Sequence, residues 1–312
     1  MKDVGWRIEY DKLWLKLKNK EFMFEDALSV IFGKRKISTK EIKYASKLLN
    51  LIEDNGFSIS FRAEHDQRAR IYRLLAPEKV SNARAILAIL HKTKGFSDTD
   101  IPKEACCSAK WNYVYIKDSA IGFWTNNYRS VDVKHISVLR EDVDGWIALL
   151  KLCNYSVVVD GVVVFEKERA IYLHSNLDMI KNQAENHYQM PHYTIIDSLK
   201  SDFNGALAVL VMQRNKINWN ELIKLAELNG LINILGFILE TTNKQAKKQI
   251  FPKKTIQKIE KKKRADYEII EGIETKKGKE YWVDVEYKEL QEKWRVKCYQ
   301  PDAIRKIVED LL

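Results

Sequence analysis

The sequence lacks the signatures that identify most metalloproteins, nucleotide-binding enzymes and membrane proteins. Its four cysteines include no C-x-x-C pair, and neither an H-E-x-x-H motif nor a glycine-rich phosphate loop occurs. No uninterrupted apolar run reaches the length of a membrane span. The first residues, Met1 to Val4, lack the apolar core of a signal peptide. We therefore expect a cytoplasmic protein with reduced thiols, no metal, no cofactor, no catalytic residues and no membrane partner.

The positive charge of the chain lies at its two ends. The 312 residues carry a net charge of +10 and are enough for two or three domains. Residues 1–80 hold 17 lysines and arginines against 12 acidic residues, and residues 242–312 hold 19 against 13. Residues 81–241 hold 17 against 18 and are close to neutral. Basic ends favour a polyanionic partner, although lysines that simply cover the surface would produce the same balance.

Residues 37–74 predict a helix followed by a two-stranded hairpin. Ser38 is a favourable N-cap, and Glu41 three residues later completes a capping box. Residues 57–62 alternate with the period of a strand, and residues 71–74 are predicted to be the return strand. The apolar side chains that share one face of the helix are Ile42, Ala45, Leu48, Leu49 and Ile52. With two preceding helices predicted at 11–22 and 24–32, this order indicates a winged helix-turn-helix over residues 1–77.

Basic and polar side chains are predicted on the outward faces of this domain. A helix fits the major groove of DNA, where lysine and arginine bond phosphates and guanine edges. The alternative is that these are ordinary solvated charges around a small core. The predicted DNA-contacting residues are Lys34, Arg35 and Lys36 before the helix, Thr39, Lys40, Lys43, Tyr44 and Lys47 on it, and Arg62, Arg68, Arg70 and Arg73 on the hairpin.

The rest of the chain predicts an α+β protein with three further segments. Residues 78–178 are expected to form a central α/β domain, residues 179–241 a helical block, and residues 242–312 a lysine-rich segment with a small β-rich unit. Within the central domain, residues 95–107 are expected to be a loop. Asp160-Gly161 predicts a tight hairpin between two valine-rich strands.

One stretch is similar to the layout of nucleotidyltransferases. Ser119-Ala120-Ile121-Gly122 is followed by Ser130 to Lys134, where such enzymes carry two carboxylates that hold metal ions. Only Asp132 is acidic here, and Lys134 would repel a metal ion. Strand alternation explains the same residues, so a divergent nucleotide-handling enzyme built around Asp132 is the third hypothesis and transferase activity is not expected.

A family resemblance rests on domain order and two motifs. The winged helix is followed by Tyr113-Val114-Tyr115-Ile116-Lys117-Asp118-Ser119-Ala120, then by short strands, then by a helical block that ends Leu235-Gly236-Phe237-Ile238-Leu239-Glu240. Over residues 5–241 this resembles the AbiEi-type antitoxins of abortive-infection systems. The resemblance implies a winged helix that binds its own promoter and a remaining domain with antitoxin activity. It also implies a nucleotidyltransferase-like toxin encoded alongside, with no stable complex, as in type IV systems.

The leading hypothesis is therefore a non-catalytic regulator of transcription that binds double-stranded promoter DNA and acts as an antitoxin and autorepressor. The second hypothesis is a protein- or RNA-binding adaptor, because winged helices also serve that role, the centre of the chain is neutral and the C-terminal segment is rich in lysine.

Overall fold

The structure, a computed structural model, is a mixed α+β protein. It describes residues 5–33, 36–62, 70–92, 97, 100–127, 134–199, 201–246, 248–262, 267–275, 278–287, 292–298 and 307–311. The chain divides into two compact units: unit 1 holds residues 1–114 and 133–179, and unit 2 holds residues 115–132 and 180–312.

Helices are spread through both units. None of the helices in the described part of the chain is long and apolar enough to cross a membrane. Short 3-10 turns lie at Arg140–Asp142 and Lys181–Gln183. The α-helices are α1 Gly5–Leu17, α2 Phe24–Phe32, α3 Thr39–Asp54, α4 Pro77–Leu90, α5 Asp100–Ala109, α6 Lys117–Trp124, α7 Val143–Leu152, α8 Leu177–Ile180, α9 Pro191–Ser198, α10 Phe203–Met212, α11 Trp219–Leu228, α12 Ile232–Gln245 and α13 Lys253–Glu260.

The strands are mostly short. They are β1 Glu21–Met23, β2 Ser58–Arg62, β3 Arg70–Leu74, β4 Tyr113–Tyr115, β5 Lys134–Val138, β6 Ser156–Val159, β7 Val162–Phe165, β8 Ala170–His174, β9 Ala184–Glu185, β10 Tyr188–Gln189, β11 Tyr267–Thr275, β12 Gly278–Tyr287 and β13 Glu292–Cys298.

Unit 1 begins with α1 to α3 and a three-stranded antiparallel sheet in the order β1-β3-β2. The predicted capping box of α3 is confirmed, since the Ser38 amide donates to the Glu41 carboxylate at 2.9 Å. The predicted helix over 11–22 is wrong at both ends: α1 begins at Gly5 and stops at Leu17, where Asn19 takes a left-handed φ of 60° just beyond it. Phe22 consequently lies in β1, directly opposite Tyr72 of β3.

The core under this sheet confirms most of the predicted apolar face of α3. Four of its five members are fully buried, but Ile42 is 41% exposed, so the prediction was wrong for that residue. The buried members pack with α1, where the Tyr10 ring lies 5.0 Å from the Phe57 ring. The Tyr10 hydroxyl donates to the carbonyl of Leu75 at 2.8 Å, and burial raises the pKa of Tyr10.

The remainder of unit 1 is a sheet with strand order β7-β6-β8-β5-β4 and helices α4, α5 and α7. Strands β6, β8 and β5 run parallel, and the predicted hairpin at Asp160-Gly161 joins β6 to β7. Both turn residues have positive φ, as a two-residue hairpin requires.

The expected loop over residues 95–107 is wrong in part, since α5 begins at Asp100. Pro102 lies in its first turn, where no intrahelical donor is needed.

Unit 2 is mainly helical. The helices α6 and α9 to α13 pack around one apolar core, in which α10 is buried on nearly all sides. Ile121 of α6 approaches Gly205 of α10 so closely that an added Cβ would lie 2.6 Å from its Cδ1. Within residues 242–312, where the sequence predicts a small β-rich unit, β11, β12 and β13 form an antiparallel sheet.

Candidate nucleic-acid interface

The exposed face of α3 carries a stripe of three lysines. Lys40, Lys43 and Lys47 are all exposed, and at 3.6 residues per turn they fall within an arc of about 60°. Lys36, just before the N-cap, is exposed as well. The opposite face of α3 holds the buried apolar residues, so the amphipathic pattern of the helix directs its cations to solvent.

The charge of this stripe is not neutralised within the described part of the chain. No described carboxylate forms an ion pair with Lys40, Lys43 or Lys47, and the Glu41 carboxylate binds the amide and hydroxyl of Ser38 instead. Thr39 is exposed beside the stripe. Tyr44 is half-buried, with its ring 6.1 Å from that of Phe32, so its ring contributes mainly to packing.

Two hairpin arginines stand directly opposite each other. Arg62 at the end of β2 is paired in register with Arg70 at the start of β3, and both are exposed. Like charges at directly opposed positions of a sheet destabilise the pair. A polyanion bound at this end of the hairpin would reduce that repulsion.

Arg73 differs from the other predicted contacts. Its guanidinium donates to the Asp144 carboxylate on α7 at 2.8 Å, and the two side chains are only 29% and 21% exposed. Asp144 also accepts a hydrogen bond from the Ala76 amide at 3.2 Å. The structure therefore places the Arg73 side chain in an anchor between β3 and α7, whereas Arg62 and Arg70 are paired with each other across the hairpin.

Two further ion pairs lie within unit 1. Lys79 of α4 pairs with Asp142 of the 3-10 turn, with Nζ 2.5 Å from the carboxylate. Lys151 of α7 lies 3.6 Å from Glu53 of α3 and donates to the carbonyl of Ser58 at 3.2 Å. Burial lowers the pKa of Lys151, and the neighbouring Glu53 carboxylate opposes that shift. Because the Lys151 contacts link α3 and β2 to α7, the lysine stripe has a fixed orientation within the unit.

Several predicted positions lie outside the described residues. Lys34, Arg35 and Arg68 are among them, and so is Asp132 of the nucleotidyltransferase-like stretch. Lys134 is described and lies half-buried at the start of β5. Within the described ranges, no group of three or more histidine, cysteine, aspartate and glutamate side chains is arranged to hold a metal ion.

One polar pair could not be found from the sequence. His135 on β5 and His174 on β8 meet with Nδ1 and Nε2 3.0 Å apart, although 39 residues separate them. The parallel register of the two strands brings them together, and Tyr172 stacks beside His135 with ring centroids 4.8 Å apart. A hydrogen bond between two imidazoles requires one of them to be a neutral acceptor.

Unit 1 also contains a cavity of about 1110 Å³ that is lined by residues of β1, β2, β3, β6 and β7, among others. Its lining combines apolar side chains with side chains of both charges. The ionisable lining residues are Glu21, Arg62, Arg73, Glu78, Lys79, Arg140, Glu141, Asp144 and Asp160. Four cations against five carboxylates give no excess of positive charge, so the cavity does not resemble a phosphate-binding site.

Comparisons with known proteins identify no relative: no family model, no curated protein and no solved structure matches this chain.

Proposed function

We propose that this protein is a non-catalytic, winged-helix regulator that binds double-stranded DNA. The proposal depends on one observation: an exposed, unneutralised lysine stripe on α3 lies in the same small module as the opposed hairpin arginines. The element order α1-β1-α2-α3-β2-β3, with β1 paired to β3, is the order typical of winged helices.

In this mechanism, α3 enters the major groove with its lysine stripe. A helix of 16 residues is about 24 Å long, and the groove is about 12 Å wide, so one helix face fits against the base edges and flanking phosphates. Lys40, Lys43 and Lys47 bind phosphates and guanine edges. Arg62 and Arg70 bind phosphates or the minor groove from the hairpin. Arg73, held by Asp144, orients the hairpin and makes no DNA contact.

The test is a titration of the full chain against duplex DNA over a range of salt. A duplex selected from a random pool is labelled, and anisotropy is measured between 50 and 200 mM KCl. The variant K40Q/K43Q should bind more weakly, and its slope of log K against log salt should fall by up to about 1.8, since each lost phosphate contact contributes about 0.9. The control K92Q/K103Q removes two exposed lysines of the same unit. Equal affinities and slopes for the two variants would contradict the proposal.

The resemblance to AbiEi-type antitoxins supports a more specific proposal, in which the bound duplex is the promoter of the protein's own operon and the remaining domain suppresses a nucleotidyltransferase-like toxin in the cytoplasm. The test is co-expression with an adjacent reading frame of that class. Restored growth without a stable complex is the expected result. If no such neighbour exists, or if growth is not restored, the antitoxin role is wrong and the regulator remains.

A further inference from the structure

A second lysine-rich surface lies in unit 2. Residues 242–262 contain eight lysines and a single acidic residue, Glu260. Most of these lysines are on or next to α13, and α11 adds one more. We define the α11–α13 lysine face by its exposed lysines, which are Lys224, Lys253, Lys254, Lys258, Lys261 and Lys262.

Contacts between the two helices bring these lysines onto one surface. Lys258 Nζ donates to the Asn220 side chain at 2.9 Å, and Lys262 forms an ion pair with Glu227. Asn220, Lys224 and Glu227 follow one another at i, i+4 and i+7, so they share one face of α11. Lys224 therefore lies between the two positions at which α13 lysines reach α11.

The face carries a clear excess of positive charge. On the described parts of α11 and α13, the carboxylates beside these lysines are Glu221, which is three residues before Lys224, Glu227, which pairs with Lys262, and Glu260. Within the described part of the chain, Lys253, Lys254 and Lys261 form no ion pair. Six lysines against three carboxylates leave a surface that attracts a polyanion.

The burial of the apolar side of α13 favours a nucleic acid over a membrane as the partner of the α11–α13 lysine face. A helix that lies on a bilayer inserts an exposed apolar face between the lipids. The apolar side of α13 is already occupied, because Ile259 is fully buried and packs into the same core as Phe251. Only the cationic side of α13 is exposed, and electrostatic contact with phosphates needs nothing more.

We propose that the α11–α13 lysine face binds the phosphate backbone of duplex DNA as a second contact that does not read sequence. This inference builds on the proposed function, because it assigns the same duplex a further contact in unit 2. The seven-residue step from Lys254 to Lys261 spans about 10.5 Å along the helix axis. This length equals the axial rise of about three nucleotides of one DNA strand, at about 3.4 Å per nucleotide. Lysine is suited to such contacts because its ammonium group is a point charge without directional preference.

The experiment compares K254Q/K261Q with K117Q/K181Q in the full chain. All four lysines are exposed residues of unit 2, and both variants remove two charges. Each variant is titrated with the selected duplex and with a random duplex, between 50 and 200 mM KCl. In K254Q/K261Q the salt slope should fall by up to about 1.8 on both duplexes, while the ratio of the two affinities stays unchanged. Matching thermal melting curves ensure that the variants are folded.

Each outcome decides between the two proposals. If K254Q/K261Q keeps the slope of its control, the second contact is wrong, even when K40Q/K43Q weakens binding as proposed. If K254Q/K261Q lowers the salt slope and K40Q/K43Q does not, the proposed contact at the α11–α13 lysine face is supported and the proposed role of α3 is wrong. If the wild-type chain binds no duplex, both proposals fail. Binding to vesicles with 30% phosphatidylserine that is lost in K254Q/K261Q, without a change in DNA binding, would overturn the second contact in favour of a membrane surface.

Discussion

Replacing Arg73 with alanine tests whether this residue anchors the hairpin to α7 or contacts DNA. The sequence places Arg73 in line with Arg62 and Arg70, but its guanidinium lies 2.8 Å from the Asp144 carboxylate. We expect R73A to lower the stability of unit 1 and to leave the salt slope of DNA binding unchanged. Arg70→Ala is the matched control, because Arg70 belongs to the same strand, is exposed and faces another cation.

The partial burial of the Arg73–Asp144 ion pair determines how much stability R73A should lose. Exposed ion pairs contribute about 0.2–1 kcal/mol, whereas removing one partner of a fully buried pair costs about 3–5 kcal/mol. The Arg73 and Asp144 side chains are 29% and 21% exposed, and Asp144 keeps its hydrogen bond from the Ala76 amide. We therefore expect a loss of about 1–2 kcal/mol, which lowers the melting temperature of a unit of this size by about 2–8 °C.

The assay combines thermal melting with the salt titration. A double-mutant cycle over R73A, D144A and R73A/D144A should give a coupling free energy of about 1 kcal/mol. R70A should melt at the wild-type temperature or slightly above it, because it removes a like-charge pair, and should lower the salt slope by up to about 0.9. If R73A melted like the wild type and lowered the slope as R70A does, the reasoning from the ion pair would be refuted.

Two further predictions concern stability and thiol chemistry. Gly145→Ala should lower the free energy of unfolding by about 1–3 kcal/mol, although alanine has the better helix propensity, because the new Cβ would lie 2.3 Å from the buried Trp111 ring. The control is Gly5→Ala, since an added Cβ there has nothing within 4 Å. In the same chemical denaturation series this control should be neutral or stabilising. Burial raises the pKa of the Cys153 thiol to about 11, so this thiol stays protonated at pH 8. Mass-spectrometric mapping after iodoacetamide treatment should therefore find Cys153 unmodified and the exposed Cys107 labelled. Equal labelling of the two cysteines would contradict the protection of Cys153 by burial.

Local patterns were sufficient where one segment determines its own structure. The capping box at Ser38 and Glu41 depends on residues three apart, and the hairpin at Asp160-Gly161 depends on two residues that accept positive φ. Both were predicted from the sequence and are confirmed.

Features that depend on a distant partner could not be predicted in this way. Strand β1 has only three residues, and β3 provides its hydrogen bonds from nearly 50 positions away. His135 and His174 meet only because β5 and β8 are neighbours in parallel register. Ile42 fits the apolar spacing of α3 and is nevertheless 41% exposed, because spacing along one helix does not determine which positions another element covers.

Burial, and not residue type, separates the roles of the cations in unit 1. Lys151 and Arg73 are largely enclosed, and each has a carboxylate from another element as its partner. A cation in that environment needs such a partner, because an unpaired charge is costly to remove from water. Lys40, Lys43 and Lys47 have neither the enclosure nor a described partner, and their side chains are exposed along one face of α3. Their positive charge is therefore open to solvent and to an anionic molecule, which is the property that the proposed DNA contact requires.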